Sequence, residues 1–114
     1  MVQMRPSQAL ALWRDVALAQ VHERIDLTPR QAAILLIVYL ELPPHTVRGL
    51  AERLGVTKPV ITRALTTLGA EGLLERRRDE SDRRNVLVGR TVAGSQFLER
   101  LGDSIVERAA ALHR

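Results

Sequence analysis

Lys58, Pro59, Thr62, Arg63 and Thr66 fall on one side of a helical stretch that carries small hydroxyls and cations and no acid before Glu71. Those types suit an anionic polymer. A threonine hydroxyl can bond a phosphate or a base edge, and an arginine can grip guanine through two hydrogen bonds. A solvated helix face normally collects Glu–Lys pairs, and phosphates would repel an acid placed here. Thr57 stands at the start of the same helix, where the first backbone amides favour an anion. A second basic group follows with Arg76, Arg77 and Arg78, then Asp82, Arg83 and Arg84. A charged turn taken alone reads equally well as a solvated loop. Its nearness in sequence to the first basic element sets it apart, and arginine suits the narrow, electronegative minor groove of DNA.

Charge is distributed to match. The chain of 114 residues has a net charge of +4 from 17 basic and 13 acidic side chains. Residues 57–90 hold eight of the basic and five of the acidic ones, and eight minus five leaves +3 of that +4 in under a third of the chain. A localised basic surface is the electrostatic footprint of a phosphate-binding face. Sixteen arginines against one lysine fit a GC-rich genome, which accounts for the choice of cation but not for its clustering.

Other chemistries find little support. His22, His45 and His113 sit in three separate elements without metal-ligand spacing, and His45, after two prolines, reads as a capping or solvated residue. The sequence has no glycine-rich phosphate loop and no nucleophile elbow. Asp79 and Glu80 belong to a charged turn, too wet for acid–base work. The absence of cysteine excludes disulfides, thiolate metal sites and thiol redox sensing. No cofactor is implied, and the chain is read as a non-enzyme. The apolar run Ala32 to Leu40 is less than half of a membrane span, and no secretion signal is visible, so a cytoplasmic protein without a membrane partner is expected.

The elements that must position these residues are marked by their own stop signals. Length and composition predict one domain, and three aromatics, Trp13, Tyr39 and Phe97, leave an aliphatic core suited to packed helices. A first helix is predicted from Ser7, its cap, to about Arg24, with Leu10, Trp13, Val16, Ala17 and Val21 at helical spacing. A second begins after Thr28 with Pro29 in its first position and ends before Pro43-Pro44; its apolar run makes it the most buried helix. Thr46 or Val47 opens a short helix that Gly55 closes, and Thr57 caps the next, from Lys58 to about Ala70. Ile61, Ala64, Leu65 and Leu68 must face the core from that last helix. Leu73 to Arg78 and the segment Asn85 to Arg90 read as two strands around a polar turn, a β-hairpin with Val86 and Val88 on one face. Thr91 then caps a long C-terminal helix. The fold class is mainly α with a small β-hairpin. It is a winged helix-turn-helix, with the core at 28–91 and flanking helices at 7–25 and 92–113.

At this level of detail the chain resembles the MarR family. The stretch from Asp79 through Asp82-Arg83-Arg84 and the alternating Val86-Leu87-Val88 to Thr91-Val92-Ala93-Gly94 is similar to that family's wing signature. Leu27-Thr28-Pro29-Arg30-Gln31 resembles the opening of its second helix, and Leu50 to Val56 its first helix-turn-helix helix. Together these cover roughly residues 25–95, and the chain resembles a short variant of the family. The resemblance implies that Lys58, Pro59, Thr62 and Arg63 lie in the major groove of double-stranded DNA. It also implies that Arg84 enters the minor groove, oriented by a salt bridge from Asp82. An Asp two residues before an Arg on one strand would share its face and could hold it. Arg90 departs from the pattern, standing where the family usually has an apolar residue.

Phe97, Leu98, Leu101, Ile105, Val106, Ala109 and Leu112 form an apolar stripe that a single domain can hardly bury, which favours a homodimer over packing within the monomer. The expected function is a DNA-binding transcriptional regulator, a repressor by simple steric exclusion. The alternative is a winged helix docking on another regulator or on RNA polymerase. Such a face would show Leu, Met or aromatic anchors, and the helix from Lys58 shows none. RNA binding is disfavoured by the shortage of aromatics for stacking. The sequence leaves a small-molecule effector site open without offering support for one.

Overall fold

The computed structural model describes residues 3–112, which form five helices and one two-stranded antiparallel sheet. In chain order these are α1 (Pro6–His22), α2 (Pro29–Leu40), α3 (Val47–Leu54), α4 (Lys58–Ala70), β1 (Leu74–Arg78), β2 (Val86–Arg90) and α5 (Val92–Ala111). Two compact units result. One comprises residues 27–97; the other combines the segments before 27 and after 97.

In the larger unit, α2 starts as its sequence predicts. Pro29 occupies the first helical position, and Thr28 and Gln31 exchange hydrogen bonds, Gln31 N to Thr28 Oγ1 at 3.1 Å and Thr28 N to Gln31 Oε1 at 3.0 Å. This reciprocal pairing satisfies two otherwise orphaned amides. Thr46 caps α3 through Gly49 N at 2.9 Å, and Gly55 ends it at φ 67° in the left-handed region. Ile34, Leu35 and Val38 of α2 are fully buried, together with Ile61, Leu65 and Leu68 of α4. Leu50, Leu73, Leu74 and Val88 extend this largely aliphatic core, and the Phe97 ring is buried as well.

The hairpin is tied to this core from several sides. Leu74 pairs with Arg90, Arg76 with Val88 and Arg78 with Val86. Thr46 forms an isolated bridge to Leu87 and His45 O accepts from Val88 N at 2.8 Å, so the segment entering α3 is tied to the free edge of β2. Tyr39 Oη accepts from Thr91 N at 2.9 Å and lies 2.8 Å from Leu73 O, its principal acceptor. Thr91 Oγ1 donates to Gly72 O at 2.6 Å and accepts from Gly94 N at 2.9 Å, capping α5 as expected. Gly94 is buried against this junction, and a Cβ there would land on the Tyr39 hydroxyl and the Leu73 carbonyl.

Arg90, the departure noted in the sequence, has a structural occupation. Its Nε donates to Val38 O at 3.0 Å and its Nη2 to Glu41 O at 3.2 Å, satisfying carbonyls that the end of α2 leaves unpaired. Its guanidinium also lies 5.8 Å from the Tyr39 ring centre. Glu41 is a junction in its own right. Its carboxylate takes both arms of Arg53 at 2.7 Å each, and its carbonyl lies 3.1 Å from His45 Nε2. Arg53 holds the Glu41 carboxyl below its ordinary pKa through that hydrogen-bonded pair, joining the ends of α2 and α3.

In the smaller unit α1 begins earlier than expected. Arg5, not Ser7, is the cap residue, with its amide donating to Gln8 Oε1 at 2.9 Å. Pro6 is the cause, because its fixed φ suits the first helical position and its missing N–H costs nothing there. Helix α1 also ends at His22, short of Arg24. Val16 is buried, whereas Leu10, Trp13, Leu18 and Val21 of α1 and Val106 of α5 are largely exposed. His113, the last histidine weighed above and the end of the expected flanking helix, lies outside the described residues.

Candidate nucleic-acid interface

Helix α4 splits into the two faces its sequence predicts. Ile61, Ala64, Leu65 and Leu68 are all buried, which leaves Lys58, Pro59, Thr62, Arg63 and Thr66 exposed on the other side. The apolar face thus sets the rotation of the helix, and through it the direction of the outer residues. Thr57 sits at the cap position with extended backbone, but its side chain makes no cap hydrogen bond; its carbonyl accepts from Val60 N and Ile61 N instead. The hydroxyl is exposed beside a helix start that carries no acid in its first turn.

Thr66 is more engaged than its neighbours. Its hydroxyl donates to Thr62 O at 3.0 Å and accepts from Arg76 Nη2 at 3.4 Å, linking α4 to β1. A hydroxyl bonded in this way is held in one orientation, and Arg76 is drawn to the edge of the helix face. The sequence reading placed both residues in basic elements but not against each other, because nothing in their spacing signals the contact.

The wing tip is organised by two aspartates. Asp79 Oδ1 accepts from Ser81 N at 2.9 Å and from Ser81 Oγ at 2.7 Å, which holds the carboxyl below the usual aspartate range. Asp82 Oδ1 accepts from both Nε and the backbone N of Arg84 at 3.1 Å, and Oδ2 lies 3.3 Å from Arg84 Nη2. These bonds from Arg84 are the chief cause of the lowered Asp82 pKa. The expected salt bridge is present, but its geometry is that of a turn rather than of one strand face. Asn85 N closes on Asp82 O at 2.9 Å, and the strand begins only at Val86. An aspartate side chain that captures the amide two residues on stabilises such a turn. Arg83 and Arg84 are exposed, Arg84 with 81% of its side chain accessible.

Between this tip and the helix pair lies a cleft of about 190 Å³. Lys58 and Thr62 of α4 face Arg84 and Asn85 of the wing across it, and Arg48 of α3 joins them. Sequence reasoning passed over Arg48. The available signal was its position near the start of a helix, where the helix dipole disfavours a cation. Among the described residues, no group of His, Asp or Glu is placed to hold a metal ion. No described helix is long and apolar enough to cross a membrane.

A helix pair with a tight glycine turn, followed by a hairpin whose base joins the same core, defines a winged helix-turn-helix. The MarR family profile matches residues 27–86. Among solved structures, the S. aureus MepR–DNA complex is similar with a TM-score of 0.76 at 24% identity, over 89% of this chain and 82% of that one. The PcaV transcriptional regulator from Streptomyces coelicolor follows with 0.66 at 29% identity, over 96% and 81%. MarR itself gives 0.69 at 28% identity, over 95% and 80%. Comparison with curated proteins returned no match. The chain belongs to the MarR family of winged-helix transcription regulators.

Proposed function

We propose that this chain is a sequence-specific regulator of transcription that binds double-stranded DNA as a homodimer and represses by occluding the promoter. Helix α4 enters the major groove with Lys58, Pro59, Thr62 and Arg63, while Thr57 and Thr66 meet the flanking backbone. Arg84 enters the neighbouring minor groove, aimed by Asp82, with Arg83 beside it. The observation that carries the reading is the acid-free outer face of α4 standing beside an arginine-rich wing tip, across a cleft lined by cations from both. The fold it shares with MepR, whose structure was determined with DNA, supports it. No catalytic role is assigned, and a cytoplasmic setting follows from the reading.

The homodimer rests on the smaller unit. Leu10, Trp13 and Val21 are each more than 60% exposed, as is Val106, more apolar surface than a solvated helix pair carries without a partner. The 28–91 segment is then the DNA-binding core, with 7–25 and 92–113 as dimerisation helices. A two-fold dimer places its recognition helices about one helical turn apart on DNA. Selection from a randomised duplex library should therefore enrich an inverted repeat with half-site centres about 10 bp apart, or a multiple of that. Enrichment of a single unrepeated site would contradict the dimer, and no enrichment at all would contradict sequence-specific binding.

A further inference from the structure

The cleft between α4 and the wing is lined by cations from three elements. Arg48, Lys58 and Arg84 line it together with the Thr62 hydroxyl and the Asn85 amide, and no carboxylate is among its lining residues. Its apolar walls, Val47 and Val86, come from α3 and β2, which are joined directly through the Thr46–Leu87 bridge. The cleft is therefore held by the sheet rather than by flexible side chains alone. Arg48 is the second residue of α3 and Lys58 the first of α4. Both are cations at helix starts, where the dipole favours negative charge, and neither helix has an acid in its first turn to compensate. An external anion would relieve both helix ends and the mutual repulsion of the cations.

The proposed docking says which anion that is. If α4 lies in the major groove and the wing in the next minor groove, the strand separating those grooves must run between them, and that is where the cleft lies. We infer that Arg48 is a DNA-contact residue that, with Lys58, seats one backbone phosphate in the cleft between α3, α4 and the wing. Thr62 adds a hydrogen bond, and Arg84 stands at the rim with its guanidinium directed by Asp82 to the minor groove. Arg48 also lies near enough to Asp82 to contribute, after the Arg84 hydrogen bonds, to its lowered pKa. A phosphate in the cleft thus bears on the residue that aims the wing. A phosphate contact of this kind supplies affinity and register rather than base specificity.

This inference rests on the DNA reading, and the test separates the two. Binding to random-sequence duplex is followed by fluorescence anisotropy between about 50 and 200 mM salt for the wild type, Arg48→Ala, Arg48→Lys and Arg5→Ala. Arg5, exposed in the smaller unit and outside both the DNA-binding core and the dimerisation helices, controls for the loss of one positive charge anywhere. Arg48→Ala should lower the slope of log K against log salt by about one for each bound protomer, and Arg48→Lys should restore it. Arg5→Ala should leave the slope unchanged. If the wild type binds with a steep slope while Arg48→Ala behaves like Arg5→Ala, the phosphate seat is overturned and DNA binding stands. A slope lost in Arg48→Ala and not restored by Arg48→Lys overturns it too, since a phosphate contact needs only the charge. A wild type that does not bind duplex at low salt overturns both.

Discussion

At its base the β1–β2 hairpin is fastened to the rest of its unit, whereas at its tip the chain holds only itself. The base uses residues distant in sequence: Tyr39 reaches Leu73 and Thr91, Arg90 reaches Val38 and Glu41, and Val88 bonds to His45. The tip uses neighbours, with Asp79 holding Ser81 and Asp82 holding Arg84. The partly buried base decides where the wing stands relative to α4, and the exposed tip decides how its arginines point. Changes at the base should therefore act on stability, and changes at the tip on DNA binding with stability unaltered.

The sharpest way to break this division is at Gly94, where any side chain meets the Tyr39 hydroxyl and the Leu73 carbonyl. Overpacking against backbone has no cheap relief, so Gly94→Ala should destabilise the domain by roughly 3 kcal/mol. A urea midpoint close to the wild type's would show that the α5 start is not fixed as described. Tyr39→Phe should cost less, about 1–3 kcal/mol, because it keeps the ring but leaves Thr91 N and Leu73 O without their partner. Its salt slope on DNA should match the wild type's, and a changed slope would mean that base and tip are not separable.

At the tip, Asp82→Asn should leave the melting temperature unaltered and weaken DNA binding a few-fold, because Arg84 loses its charged anchor while staying present. The smallest effect is on titration. Asp82 is held below the ordinary aspartate value of about 3.9, so its charged hold on Arg84 is complete above that value and is lost as pH falls through the depressed pKa. Carboxyl NMR should find the wild-type midpoint below the ordinary range and find it raised in Arg84→Ala. An unmoved midpoint would remove Arg84 as the main partner.

The two regions were also unequally legible in the sequence. Both faces of α4, the caps Thr28 and Thr46 and the Gly55 stop follow from spacings of a few residues, where helix period and turn chemistry act; the Asp82–Arg84 pair was implied by the family resemblance, and the turn that makes it was not foreseen. The base of the hairpin does not, since Tyr39 and Thr91 are 52 positions apart and only the folded core brings them together. Arg90 was visible as an anomaly, but its partners were not. Arg48 was missed because a single cation on a short helix has no periodic signature; its meaning comes from the wing that folds beside it. The start of α1 shows a local rule losing to a stronger one, Pro6 moving the cap from Ser7 to Arg5.

The central claim, that the wing tip and α4 form a DNA-binding surface, is tested most directly by an anisotropy titration of random duplex DNA at two salt concentrations. Wild type and an Arg83→Ala/Arg84→Ala double variant are compared side by side. The account predicts binding that falls steeply with salt in the wild type, with lower affinity and a shallower slope in the variant at unchanged melting temperature. No binding at low salt, or identical slopes for the two proteins, would contradict it.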